Sequence, residues 1–312
     1  MRIVSLISSG TEIVCALGLR DSLVGVSHEC DHPDSIRALP VLSEPLINPK
    51  DTSGQIDRQI REIVRDGLSI YLIKDNELER LNPDLVVTQD QCEVCAVSLK
   101  DVEKAVRSLT LKDTKVCSLR PHILEDIRKD FLRVGEATGK TREANELLEA
   151  FDQGLYLISQ KVAPRKRNPR VLFIEWLDPL IIAGGWMPEL IRIAGGDPQI
   201  VSTPERFRMV KWDEAISCDP EMVFVAPCGY GRKQVTDELK TGKVKRELNK
   251  LIKGGSKVCY VLDGNSYFNR PGPRILDSTE ILACLIHPDL ANDYRARHSG
   301  SYERWPGVRA TS

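Results

Sequence analysis

Along this chain, short apolar runs alternate with segments whose apolar residues recur every three or four positions. In the first half the pattern predicts strands at Ile3–Leu6, Leu23–Val26, Ser69–Leu72, Leu85–Thr88 and Lys115–Leu119. Helical periodicity falls between them, near Thr11–Leu17, Ile56–Asp66, Leu99–Leu109 and Ile123–Gly135. The second half predicts strands at Val171–Glu175, Met222–Ala226 and Val258–Leu262, with helices near Pro188–Ala194, Asp213–Ile216, Val244–Leu251 and Ile275–Ile286. Alternation of this kind predicts an α/β protein with mainly parallel sheets and helices on both faces.

The halves echo each other. "LNPDLVVTQ" (Leu81–Gln89) and "CDPEMVFVAP" (Cys218–Pro227) share one order: a helix end, a proline, an acid, then a buried strand. Proline stops the preceding helix, and an unbroken apolar run suits a strand covered on both faces. These strands are expected to be equivalent in two similar lobes. Between the lobes, Ala144, Leu147, Leu148, Phe151, Leu155, Ile158 and Val162 fall on one face of a helix starting at Thr141. That helix is about 33 Å long, and the prolines at 164 and 169 end it. The expected organisation is a Rossmann-like lobe over 1–140, a connecting helix over 141–165, a second Rossmann-like lobe over 166–290, and a polar tail over 291–312. The tail has no periodicity and is assigned no chemistry. Two lobes on one stiff helix predict a ligand cleft between them.

Composition narrows the function. Lys and Arg number 44 against 45 Asp and Glu, a formal charge of −1, so the chain carries no bias toward nucleic acid or anionic lipid. No apolar run approaches the length of a membrane span. The start, "MRIVSLISSGTEIVCALG", lacks the unbroken apolar core and cleavage site of a secretory signal. Nine cysteines, an odd number, then suit free thiols in a reducing compartment, and the expected address is the cytoplasm. There is no Gly-x-Ser-x-Gly, no phosphate-cradling glycine loop with lysine and no His-Glu-x-x-His. The chain therefore reads more readily as a binding protein than as an enzyme.

Several stretches together resemble the substrate-binding proteins of iron-siderophore and vitamin B12 ABC transporters. The opening "RIVSLISSGTEIVCALGLRDSLVGVSHECDHP" carries the resemblance first. It continues through "LNPDLVVTQ", the connecting helix, "ELIRIAGGDP" and "CDPEMVFVAP", to about Pro288. The elements "GVSHECDHP", "TQDQCEVCAVS", "EWLDP" and "RPGPRI" are similar to the branch labelled cobalamin-binding. The resemblance implies two Rossmann-like lobes that hold a bulky metal chelate between them. It also implies docking on a transporter through one glutamate on each lobe. Those positions fall at Asn76, flanked by Glu77, and at Asp213, flanked by Glu214. With no clear glutamate pair there, transporter docking is doubtful.

Candidate chemistry sits in the loops after strands, where α/β ligands bind. The ligand-contacting candidates are Glu12, His28, His32, Gln89, Gln91, Trp176, Trp186, Phe207, Tyr230 and Tyr267. Aromatic faces would cover a flat macrocycle, and amides would meet the amide-rich rim of a corrinoid. For Glu12 the bland alternative is a solvated or capping acid in a first helical turn. Trp212 reads better as core, as do Cys15, Cys117, Cys259 and Cys284. Cys92 and Cys95, in "QCEVCA", leave three readings open. With Cys30 and His28 they have the donors of a zinc or iron site. As a dithiol near a helix start they suit thiol redox work, although Asp90 and Glu93 beside them oppose a lowered pKa. As small side chains they simply line a polar cleft.

Overall fold

A computed structural model describes residues 1–66, 68–90, 99–108, 113–165, 167–200, 207–253 and 257–306. In chain order the first half holds β1 (Ile3–Ser5), α1 (Ser8–Ala16), β2 (Leu23–Val26), β3 (Ser43–Pro45), α2 (Ser53–Arg65), β4 (Tyr71–Ile73) and α3 (Asp75–Leu81). There follow β5 (Leu85–Gln89), α4 (Leu99–Ser108), β6 (Lys115–Leu119), α5 (Leu124–Thr138) and the long α6 (Thr141–Val162). The second half holds β7 (Arg170–Trp176), β8 (Ile181–Ala183), α7 (Met187–Ile193), β9 (Asp197–Pro198), β10 (Phe207–Met209), α8 (Trp212–Ser217) and β11 (Met222–Val225). It ends with α9 (Arg232–Leu239), α10 (Gly242–Leu251), β12 (Val258–Leu262), α11 (Ile275–Ile286), α12 (Ala291–His298) and β13 (Tyr302–Trp305).

The chain divides into two α/β units. One comprises Met1–Pro49, Arg58–Phe151 and Pro271–Pro273; the other comprises Lys50–Asp57, Asp152–Arg270 and Arg274–Ser312. The first unit has a parallel sheet in the order β2-β1-β5-β6. The second has the order β10-β8-β7-β11-β12-β13, with β7, β11 and β12 parallel and β8, β10 and β13 antiparallel to their neighbours. The central strands are buried throughout, as expected for strands covered on both faces. α6 buries Ala144, Phe151, Leu155, Ile158 and Val162, the face that its spacing predicts. Its residues are shared between the units at Phe151. Among the described residues, no helix is long and apolar enough to cross a membrane.

The echo extends to individual hydrogen bonds. Asn82 and Asp219 both adopt the left-handed conformation, at φ 41° and 43°, each just before its proline. Asn and Asp tolerate that region because a short polar side chain can bond locally. Two residues on, the Asp84 carboxylate accepts the Arg2 N–H at 2.6 Å, and the Glu221 carboxylate accepts the Arg170 N–H at 3.1 Å. The guanidiniums act similarly, one residue out of step: Arg2 Nε donates to the carbonyl of Leu81, just before Asn82, and Arg170 Nε to that of Asp219 itself, both at 2.8 Å. β5 beside β1 and β11 beside β7 are therefore equivalent strands, each tied to its neighbour at the amino end.

Two expectations are corrected, and three short strands are added. The strand expected at Ser69–Leu72 is β4, which pairs antiparallel with β3 outside the parallel sheet. Tyr71 is buried while Leu72 is exposed, the alternation of a strand covered on one face only. The strands β8, β9 and β10 went unread because they are two or three residues long, too short to show a period. The polar tail is folded through residue 305. α12 buries Tyr294 and His298, and β13 pairs with β12 from Cys259↔Trp305 to Leu262↔Tyr302. The sequence of α12, "ANDYRARH", carries little apolar signal.

Asn82→Ala and Asp219→Ala are each expected to lower stability by about 1–2 kcal/mol, because alanine pays the full left-handed penalty. Asn82→Gly and Asp219→Gly are expected to stay close to the parent. Urea melts of the four variants, followed by circular dichroism, check this.

Candidate functional site

In the first unit the carboxyl ends of β1, β2 and β5 lie along one sheet edge. The strand order reverses between β1 and β5, which is where open α/β sheets take ligands. The chain leaving β1 enters α1 at once. Gly10 permits the close packing, since a Cβ there would sit 2.7 Å from Val87 Cγ1 on β5. α1 begins three residues before the predicted Thr11, so Glu12 occupies its second turn and is 4% exposed. It is neither a solvated acid nor a first-turn cap.

The loop after β2 carries the sulfur. Cys30 is half-buried, with Sγ 3.0 Å from Thr11 Oγ1 and 3.1 Å from Ser27 Oγ. Both hydroxyls are buried, Thr11 on α1 and Ser27 directly after β2. His28 is oriented by its Nδ1, 2.8 Å from Ser43 Oγ, and its ring lies 5.2 Å from that of Tyr71. Its Nε2 is 3.3 Å from Glu29 Oε1. His32 is exposed. Gln89 ends β5 and is buried. Gln91, Cys92 and Cys95 lie outside the described residues. Among the described residues, His28 and Cys30 belong to no group of three ligating side chains close enough to share an ion.

In the second unit the order reverses between β7 and β11. Trp176 ends β7 half-buried, its ring 5.4 Å from that of Tyr230 and steeply inclined at 61°. Sequence alone puts Tyr230 among ligand-contacting aromatics, but the structure buries it to 2% exposure as the support behind Trp176. Its hydroxyl donates to the Asp51 carbonyl at 2.8 Å, and burial raises its pKa, keeping it a neutral donor. Asp51 is available because the segment Lys50–Asp57 belongs to this unit. Gln234 also donates to that carbonyl, and the backbone N–H of Ser53 donates to Glu238 at 3.0 Å.

Trp186 is half-buried at the start of α7, and its Nε1 donates to the Phe268 carbonyl at 3.2 Å. Phe268 itself is core. The turn Gly264–Phe268 is held by Asp263, whose two carboxylate oxygens accept the Ser266 N–H and hydroxyl, each at 2.9 Å. Gly264 is required there, because a Cβ would lie 2.3 Å from the Pro227 carbonyl oxygen. The loops after β11 and β12 are thereby packed backbone to backbone. Tyr267 is half-buried, with the Arg274 guanidinium over its ring at 5.5 Å. Phe207 lies in the edge strand β10. Trp212 is buried, as expected. Sequence reading missed Arg270, a 4%-exposed cation that donates to Asn265 Oδ1 at 3.1 Å. Its signal is "RPGPRI", which enters the sequence analysis only as part of the resemblance to the cobalamin-binding branch.

The sequence pattern of the periplasmic binding protein family matches residues 3–248, well over half of the chain. The chain belongs to this periplasmic binding protein family. One relative in the family's likeness, the uncharacterized ABC transporter substrate-binding lipoprotein YvrC of Bacillus subtilis, is 24% identical over 302 residues, covering 92% of this chain and 80% of its own. The vitamin B12-binding protein of Vibrio parahaemolyticus is 23% identical over 283 residues, covering 89% of this chain and 86% of its own. Among solved structures, a periplasmic heme-binding protein of Pseudomonas aeruginosa superposes with a TM-score of 0.67 at 18% identity, covering 98% of this chain and 95% of that one. At that identity the structural likeness bears on fold alone. Glu77 on α3 and Glu214 on α8 hold equivalent places, each five residues before its left-handed Asn82 or Asp219. Each is paired within its own unit, Glu77 with Arg80 and Glu214 with Arg208, both at 2.7 Å.

Half-buried Cys15 and buried Cys117 and Cys259 should be inert. Burial pushes the thiol pKa of Cys15 and Cys117 up to about 11 and that of Cys259 to about 12. At pH 7.5 these groups stay protonated, and the thiolate is the nucleophile. A brief N-ethylmaleimide pulse on the native protein, mapped by mass spectrometry, is expected to leave all three unlabelled. Labelling of all three is expected after denaturation.

Proposed function

We propose that this protein binds a bulky metal chelate, a corrinoid of the cobalamin type, and does so in the cytosol as a carrier or handling protein. The observation that carries the reading is the pair Trp176 and Trp186 at the carboxyl edge of the second unit's parallel strands. Both are half-buried, and neither is loose: Trp176 packs on the buried Tyr230, and Trp186 is tied to the Phe268 carbonyl. Rigid aromatic surface offers large apolar contact at low entropy cost, which suits a flat, partly apolar macrocycle. Asn265 and the buried Arg270 beside it have the polarity that an amide-rich rim requires. The likeness to a vitamin B12-binding protein supports the ligand class.

A second reading, a zinc or iron site, rests on the half-buried Cys30 thiol, held between Thr11 and Ser27 on the first unit's edge. The Cys92–Cys95 pair would supply further thiolates.

Titration with aquocobalamin separates the two, followed by visible absorbance and tryptophan fluorescence. The corrinoid reading expects saturable binding, weakened about tenfold or more by Trp186→Ala, as for an aromatic anchor. A change of the cobalt absorbance that disappears in Cys30→Ser would make that thiol a ligand to the cobalt. If neither corrinoid nor heme binds, or if Trp186→Ala binds like the parent, the reading fails. Stoichiometric zinc lost in Cys92→Ser would then favour the second.

A further inference from the structure

The C-terminal segment brings together a group of side chains that the proposed function does not use. Asp277 and Glu280 lie one turn apart on α11, a spacing that puts both carboxylates on one helix face. α12 delivers His298 against them. Its Nε2 is 2.7 Å from Glu280 Oε2 and 4.0 Å from Asp277 Oδ1. One ligating atom from each of the three lies within 4.8 Å of the others.

Two acids thus converge on one ring nitrogen, which can donate only one proton. Glu280 takes that bond, and among the described residues Asp277 accepts no hydrogen bond in its place. Asp277 is half-buried, its side chain 36% exposed at the open side of the group. His298 and Glu280 are 4% and 7% exposed, so the pair sits where unpaired charge is costly. The neighbouring cations do not fill the gap. Arg274 lies over the Tyr267 ring, and Arg297 reaches only the far oxygen of Glu280, Oε1 at 3.0 Å, with its own side chain mostly exposed.

A divalent ion would satisfy all three groups at once. One imidazole and two carboxylates make a nitrogen–oxygen set suited to Zn²⁺ and its first-row neighbours. Donor atoms around a tetrahedral ion at those bond lengths are about 3.4 Å apart. The observed 2.7 and 4.0 Å bracket that value. We propose that Asp277, Glu280 and His298 bind a divalent first-row transition ion, which locks α12 and the segment after it onto α11. The site is separate from the Cys30–Cys92–Cys95 set and does not depend on the proposed ligand. His298 also meets Tyr267 edge-on at 6.3 Å, and β13 lies on β12, so the ion would stiffen the turn beside Trp186.

The test uses the full, untagged chain stripped with chelator, with Cys30, Cys92 and Cys95 changed to serine so that thiolates cannot compete. Zn²⁺ is titrated calorimetrically and Co²⁺ by absorbance. The expected result is about one ion per chain, a Co²⁺ spectrum without sulfur charge-transfer bands, and a Tm raised by a few degrees. Asp277→Asn is the decisive variant, because it removes a ligand and no hydrogen bond. It should weaken binding about tenfold or more and abolish the Tm shift. Glu280→Gln should do the same where it folds. No Zn²⁺ uptake at millimolar concentration, or uptake unchanged in Asp277→Asn, overturns the proposal.

Discussion

The clamp at the amino end of the central strands is the constraint on which both sheets rest. A parallel pair has no tight turn to set its register, so something else must hold the strands level. Here an acid does it twice. Asp84 and Glu221 each take the backbone N–H of an arginine at the amino end of the unit's first strand, and that arginine's Nε donates to a carbonyl just before the proline, that of Leu81 or Asp219. With β5 aligned to β1 from Ile3↔Leu85, and β11 to β7 from Val171↔Met222, the carboxyl ends also come level. The candidate loops leave from those ends.

The two edges then differ in chemistry. The first unit's edge is small and polar: Ser27, Thr11, Gln89 and a thiol held by hydroxyls. The second is aromatic, with Trp176 and Trp186 backed by buried Tyr230 and Phe268. The difference follows from what each first helix permits. α1 starts soon after β1 and packs closely on β5 at Gly10, where a Cβ would meet Val87. After β7 the chain instead detours through β8 before α7, which leaves space for two indoles.

Beyond β12 the chain adds what its composition hides. α12 and β13 carry few apolar residues, yet they extend the second sheet by a strand and bury a histidine against two acids. Polar segments that fold by pairing an existing strand edge need little apolar surface of their own, because the edge supplies the hydrogen bonds.

The α/β class, the long helix from Thr141 to Val162, the strand Val258–Leu262 and the helix Ile275–Ile286 were legible in sequence, because each has an apolar period long enough to stand out. The two tryptophans were expected in loops after strands, whereas Trp176 ends β7 itself and Trp186 stands at the start of α7. Other features belong only to the tertiary structure. β4 pairs outside the parallel sheet, Tyr230 supports Trp176 from the core, and residues 50–57 join the second unit. Nor does spacing reveal that His298 meets Asp277 and Glu280 across two helices. Local periodicity reports how each segment meets a core; which segments meet each other depends on contacts between residues far apart in the chain.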